Sequence, residues 1–170
     1  MRKALIIAVL ALLIVFSACE MNEDKTDATE PTEDGIMTEI EDDDGNVTGY
    51  ERRYHNDYGD ITRLDVYDED QTYLYFVLYD YYDDHKLYTE TRYKAEGFAE
   101  YRYVYTYDDD GNLTEKAYEL PHGEAELYRY DADGNEIERL YYGTDEQLVK
   151  REVLEDGEWV NYDTDGNIMQ

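Results

Sequence analysis

From Tyr73 to Tyr81 the chain alternates. Tyr73, Tyr75, Val77, Tyr79 and Tyr81 fall on one side of an extended segment, and Leu74, Phe76 and Leu78 on the other. Tyr101, Tyr103, Tyr105 and Tyr107 line one side of a second such segment. A period of two filled by aromatic and β-branched residues predicts strands, and no segment after Asp44 sustains a helical period. The alternating runs are separated by Asp-x-Asp-Gly-Asn at 42–46, 108–112, 131–135 and 163–167. Weaker copies stand at Asn56-Asp57-Tyr58-Gly59-Asp60, Tyr82-Asp83-Asp84-His85 and Glu155-Asp156-Gly157. Aligned on glycine, the turn positions are Gly45, Gly59, Gly97, Gly111, Gly123, Gly134, Gly157 and Gly166. Gln71, His85 and Glu146 fill the gaps by spacing, each with an apolar residue two positions later (Tyr73, Leu87, Leu148).

A spacing of about 12 residues is one strand plus one tight turn. The first Asp of each turn accepts from backbone N–H two residues on, and Gly takes the positive φ that closes a hairpin through a bulge. Sequential strands joined by tight turns predict an all-β fold, an antiparallel meander of about ten strands in one twisted or curled sheet. At about 4.8 Å per strand the sheet would be about 45 Å wide. The alternation leaves open whether the sheet stays open or closes into a barrel. The densest apolar run, Leu74 to Leu78, is the expected centre of the core.

Charge narrows the function classes. Lys and Arg total 15 and Asp and Glu 44 among 170 residues, a formal net charge of -29. A chain that tracks nucleic-acid phosphates or docks on anionic lipid needs the opposite sign. The 21 Tyr argue against a wholly disordered acidic chain. Met1-Arg2-Lys3 and the apolar run Ala4 to Phe16 fit a secretory signal and are too short for a comfortable membrane span. Phe16-Ser17-Ala18-Cys19 resembles a bacterial lipobox, which implies a signal peptide over 1–18 and lipidation of Cys19. Residues 19–44 are acidic and poor in apolar side chains, so they are expected to be a disordered, self-repelling tether. The repeat domain is then expected over 45–170.

Tyr107-Asp108-Asp109-Asp110-Gly111-Asn112-Leu113-Thr114, Tyr130 to Asn135 and Tyr162 to Ile168 resemble the YD repeat of RHS and teneurin proteins. That resemblance implies a sheet-based architecture at a cell surface with carbohydrate contact. The short hairpins with Asp-Gly turns are also similar to MORN-variant repeats of bacterial lipoproteins and antitoxin-like proteins. Asp156 to Met169 is similar to one choline- or glucan-binding repeat of Gram-positive surface proteins, where aromatics of neighbouring repeats cage the ligand; Trp159 and Tyr162 carry that match. Repeats of these kinds mark architecture more than activity.

Little in the chain suits catalysis. The one Ser is Ser17, inside the signal, and the one Cys is Cys19, so serine and cysteine nucleophiles, an internal disulfide and Cys-based zinc sites drop out. His55, His85 and His122 stand at turns without zinc-ligand spacing. No pair of carboxylates is singled out for glycoside hydrolysis. The Asp-x-Asp-Gly turns offer hard oxygens to calcium, with Asp108, Asp110, Asp131, Asp133, Asp163 and Asp165 as candidate ligands; the alternative is that they are turn formers screened by solvent. The tyrosine rows offer flat amphipathic rings to a sugar or protein, with Tyr101, Tyr103, Tyr105, Tyr107, Trp159 and Tyr162 as the candidate platform. The sequence therefore points to a non-catalytic bacterial surface lipoprotein, held at the membrane by its N-terminal lipid, with envelope polysaccharide or protein as partner. A calcium-dependent structural module and an antitoxin- or immunity-like protein are the alternatives.

Overall fold

The computed structural model describes residues 35–169. The expected signal peptide, Cys19 and the first part of the expected tether lie outside the described residues. Eleven strands follow one another: β1 (Ile36–Glu41), β2 (Val47–His55), β3 (Ile61–Asp68), β4 (Tyr73–Tyr81), β5 (Leu87–Lys94), β6 (Ala99–Tyr107), β7 (Leu113–Glu119), β8 (Ala125–Tyr130), β9 (Glu136–Tyr142), β10 (Leu148–Glu155) and β11 (Glu158–Tyr162). Each pairs antiparallel with its sequence neighbours in a single sheet of order β1 to β11. The sheet is not closed: β1 and β11 are its two ends. β1 lies inside 19–44, so the sheet begins before residue 45. Met37 and Ile40 are half-buried in β1, and its register from Ile36↔Arg53 to Glu41↔Val47 supplies the cross-strand partners that a low apolar content concealed.

The turns form where Asp, Gly and spacing place them. Positive φ occurs at each of the eight aligned glycines and also at Gln71, His85 and Glu146, the three positions filled by spacing. In the first turn the Gly45 amide donates to the Asp42 carbonyl at 3.0 Å and the Asp42 amide to the Asn46 carbonyl at 2.9 Å. Asp42 Oδ1 accepts from the amides of Asp44 and Asn46, so one carboxylate ties down the whole turn. Asp156 and Gly157 both have positive φ between the paired Glu155 and Glu158, the two-residue hairpin that Asp-Gly favours.

Most pairings slip by one residue next to a turn, and one slip moves a tyrosine. Tyr67 pairs with Tyr73 and Val66 with Tyr75, which leaves Leu74 without a partner and 46% exposed. The Tyr73 ring lies 6.4 Å from the Phe76 ring, so Tyr73 joins the Phe76 side rather than the Tyr75 side. The core also differs from expectation. Its buried apolar residues are Val66 and Val77 at one place and Ala125 and Leu140 at another, not the run Leu74 to Leu78 as a whole. A single layer buries a side chain only where flanking strands supply large neighbours. Val77 has Leu64 and Arg92 as cross-strand partners, and Leu140 has Leu127 and Arg151.

Candidate functional site

Cross-strand partners share a face, so the register traces rows across the sheet. One row runs Tyr79, Glu90, Tyr103, Tyr118, Glu126, Tyr141, Lys150 from β4 to β10. Beside it runs Tyr105, Lys116, Tyr128, Arg139, Glu152, Asn161 from β6 to β11. Aromatic and charged residues are thus interspersed across this tyrosine face, with Tyr103 and Tyr118 directly paired, over about 34 Å from β4 to β11.

The rings touch. Tyr103 lies 5.4 Å from Tyr101, 6.3 Å from Tyr105 and 5.2 Å from Tyr118 between centroids. Cations sit over them: Lys116 Nζ is 3.9 Å from the Tyr103 centroid, the Arg92 guanidinium 3.7 Å from Tyr75 and the Arg139 guanidinium 4.3 Å from Trp159. Such contacts hold each ring in place. Arg92 also stands 6.0 Å from Tyr101, so it links the tyrosines of β4 to those of β6 across β5. The Tyr141 hydroxyl donates to Glu152 at 2.7 Å and that of Tyr128 donates to Glu126. Burial, then the nearby Glu90, pushes the Tyr79 hydroxyl up to about 12. Burial and the Glu152 bond push Tyr141 to about 12, and burial moves Tyr105 and Tyr128 further in the same direction. These hydroxyls stay protonated at neutral pH; those of Tyr128 and Tyr141 commit their proton to Glu126 and Glu152 and keep acceptor capacity.

The opposite face is built differently. Asp65, 4% exposed, takes Arg63 Nε at 2.7 Å and the hydroxyls of Tyr54 and Tyr73 at 3.1 and 3.2 Å. Glu119, also 4% exposed, takes Arg102 Nε at 2.7 Å. Glu138, 8% exposed, bridges Arg129, at 2.7 Å, and Arg151. Burial raises the Glu138 pKa and the two arginine bonds outweigh it, so the net shift is downward. On this carboxylate face the buried acids are matched by arginine.

The structure sorts the candidate residues. Tyr101, Tyr103, Tyr105 and Trp159 lie on the tyrosine face. Tyr107, at the end of β6, packs edge-on against Tyr82 at 6.1 Å beside the neighbouring turn. Tyr162 pairs with Arg151 on the carboxylate face and donates to Glu155 at 2.6 Å. Trp159 and Tyr162 are three residues apart in one strand, which places them on opposite faces, so they form no shared cage. Sequence reading missed Tyr118, Tyr128, Tyr141 and the cations Arg92, Lys116, Arg139 and Lys150. Only the register reveals them, although Lys116 and Tyr118 already share a period of two.

The aspartates serve their own turns. Asp108 Oδ1 accepts from the amides of Asp110 and Asn112, and Oδ2 from Asn112 Nδ2. Asp131 and Asp163 repeat the pattern, and the Asn and backbone bonds lower all three pKa values. Asp108, Asp110, Asp131 and Asp133 belong to one edge of the meander, Asp163 and Asp165 to the other. Turns on one edge are separated by two strand widths, about 10 Å, whereas calcium needs several oxygens at 2.3–2.6 Å. Among the described residues no group of three or more His, Cys, Asp or Glu side chains could hold a metal ion. Of the turn histidines, His85 Nδ1 lies 2.8 Å from Asp60 Oδ2 with its ring against Tyr58, and His122 Nε2 lies 3.1 Å from Glu124.

No family model and no curated protein matches the chain. The likeness of its turns to YD and MORN-variant repeats rests on the motif residues alone.

Proposed function

We propose that the chain is a non-catalytic binding module of the bacterial envelope, anchored to the outer side of a membrane by lipid on Cys19, and that its tyrosine face contacts envelope polysaccharide. The observation that carries the reading is the unbroken pair of rows from Tyr79 to Lys150 and from Tyr105 to Asn161. Sugars present apolar C–H faces ringed by hydroxyls. Half-buried tyrosine rings match the first, and protonated tyrosine hydroxyls, Lys and Glu match the second. A polymer suits an extended surface along which rings and charged groups recur, because successive sugars meet similar kinds of group. The same flatness disfavours catalysis, which needs a site that converges on one bond and excludes water.

A pull-down with purified envelope polysaccharide tests the reading. The native chain is expected to be retained, and Tyr101→Ala with Tyr103→Ala to lose retention. Retention of that variant at the native level would contradict the reading. Anchoring has its own test: a fatty-acid probe fed to expressing cells is expected to label the native chain and not Cys19→Ser.

A further inference from the structure

A notch of about 380 Å³ opens at one edge of the sheet, outside the tyrosine rows, where the β4–β5 and β6–β7 turns stand side by side. Tyr82, Asp83, Asp84, Lys86, Tyr107 and Asp108 line it. Its aromatic wall is fixed: Tyr82 meets Tyr107 at 6.1 Å and Tyr88 at 4.9 Å between centroids, and its hydroxyl donates to the Tyr105 carbonyl at 3.0 Å. Aspartates from both turns supply the other wall.

One cation already occupies the notch. Lys86 Nζ lies 2.6 Å from Asp84 Oδ2 and 5.7 Å from the Tyr107 centroid. It rests over Gly111, where a Cβ would stand 2.8 Å from Nζ. The Asp84 bond first, then the charges of Asp108 and the Tyr107 hydroxyl, raise the Lys86 pKa, so the surroundings favour positive charge. Ring faces attract a cation through their quadrupole, and a methylated ammonium, weakly hydrated, gains more from them than a strongly hydrated ion does. The acidic walls give attraction and the rings give selectivity. The Lys86 ammonium is a tethered occupant that an external cation would displace.

We infer that this notch is a binding site for a methylated ammonium group, distinct from the polysaccharide face. The carboxylates that draw in the ammonium repel a phosphate attached to it. A free methylated amine is therefore favoured over a phosphate-bearing headgroup.

The test titrates the full chain with tetramethylammonium chloride, with sodium chloride at equal ionic strength as control, and follows tyrosine ring resonances. Saturable shifts at Tyr82 and Tyr107 with tetramethylammonium alone are expected. Lys86→Gln is expected to tighten binding by roughly threefold, because the competitor is gone, and Tyr107→Leu to weaken it by roughly fivefold, the weight of a solvent-exposed cation–π contact. Equal shifts with both salts would overturn the inference and leave only screening of an acidic edge. So would weaker binding by Lys86→Gln, a variant at a half-exposed turn side chain that keeps the answer decisive if Tyr107→Leu does not fold. Phosphocholine in a parallel arm is expected to bind more weakly than tetramethylammonium. Tighter binding would overturn the assignment of the aspartates to the wall.

Discussion

The two faces of this sheet use the same few residue types toward opposite ends. On the carboxylate face, arginine meets a buried acid: Arg63 on Asp65, Arg102 on Glu119, Arg129 and Arg151 on Glu138. On the tyrosine face the acids paired by cations are less buried, and Arg92, Lys116 and Arg139 lie over rings, Arg92 also meeting Glu100 at 2.8 Å and Arg139 meeting Glu136 and Glu152. A buried acid matched by arginine leaves little for a ligand, whereas the rings of Tyr101, Tyr103 and Tyr105 stand half-buried at the surface. A single-layer sheet has no second layer to bury apolar area, so one face is tied by polar cross-strand contacts and the rings of the other stay half-buried. The few buried apolar residues, Val66, Val77, Ala125 and Leu140, are consistent with that division.

The largest way to break the comparison is to remove a hub of the carboxylate face. Asp65→Ala strands Arg63 and the hydroxyls of Tyr54 and Tyr73, and is expected to cost about 3 kcal/mol in urea unfolding. Glu138→Gln keeps shape and loses charge, so about 2 kcal/mol is expected. On the tyrosine face, Arg92→Ala removes a cation between the tyrosines of β4 and β6 and is expected to cost only about 1 kcal/mol. Equal losses on the two faces would erase the distinction.

Titration separates the faces by pH. Glu138 has a lowered folded pKa, so its contribution is present above its unfolded value near 4.5 and is lost as pH falls through the lower folded value. Tyr79 and Tyr141 have raised pKa values, so their neutral forms contribute below pH 10, and that contribution is lost as pH rises from 10 to about 12. Melting curves should therefore show acid loss that Glu138→Gln reduces and alkaline loss that Tyr79→Phe reduces. The smallest effect belongs to neither face. Gln71→Gly and Glu146→Gly relieve left-handed backbone at φ 62 and φ 60 and are each expected to stabilise by about 0.5–1 kcal/mol, with binding unchanged.

Turn chemistry made the meander legible from sequence. Asp and Gly act within five residues, so the glycine turns could be placed without knowing the register, and the spacing between them placed Gln71, His85 and Glu146. Faces could not be read so directly. A one-residue slip between Val66 and Tyr67 carries Tyr73 to the other side, and nothing local to Tyr73 announces it. The carboxylate hubs were hidden for the same reason: Glu138 meets Arg129 and Arg151 only through two neighbouring strands. β1 was hidden because its acids suit an edge strand as well as a tether.

The most direct test of the two-face account compares aromatic pairs across the sheet. Phe76 and Tyr93 stack at 4.8 Å on the carboxylate face, as Tyr101 and Tyr103 meet at 5.4 Å on the other. Retention on immobilised envelope polysaccharide should survive Phe76→Ala with Tyr93→Ala and fail with Tyr101→Ala and Tyr103→Ala, both variants keeping the native β-sheet circular dichroism. Loss of retention by the Phe76 and Tyr93 variant, with the Tyr101 and Tyr103 variant retained, would contradict the account.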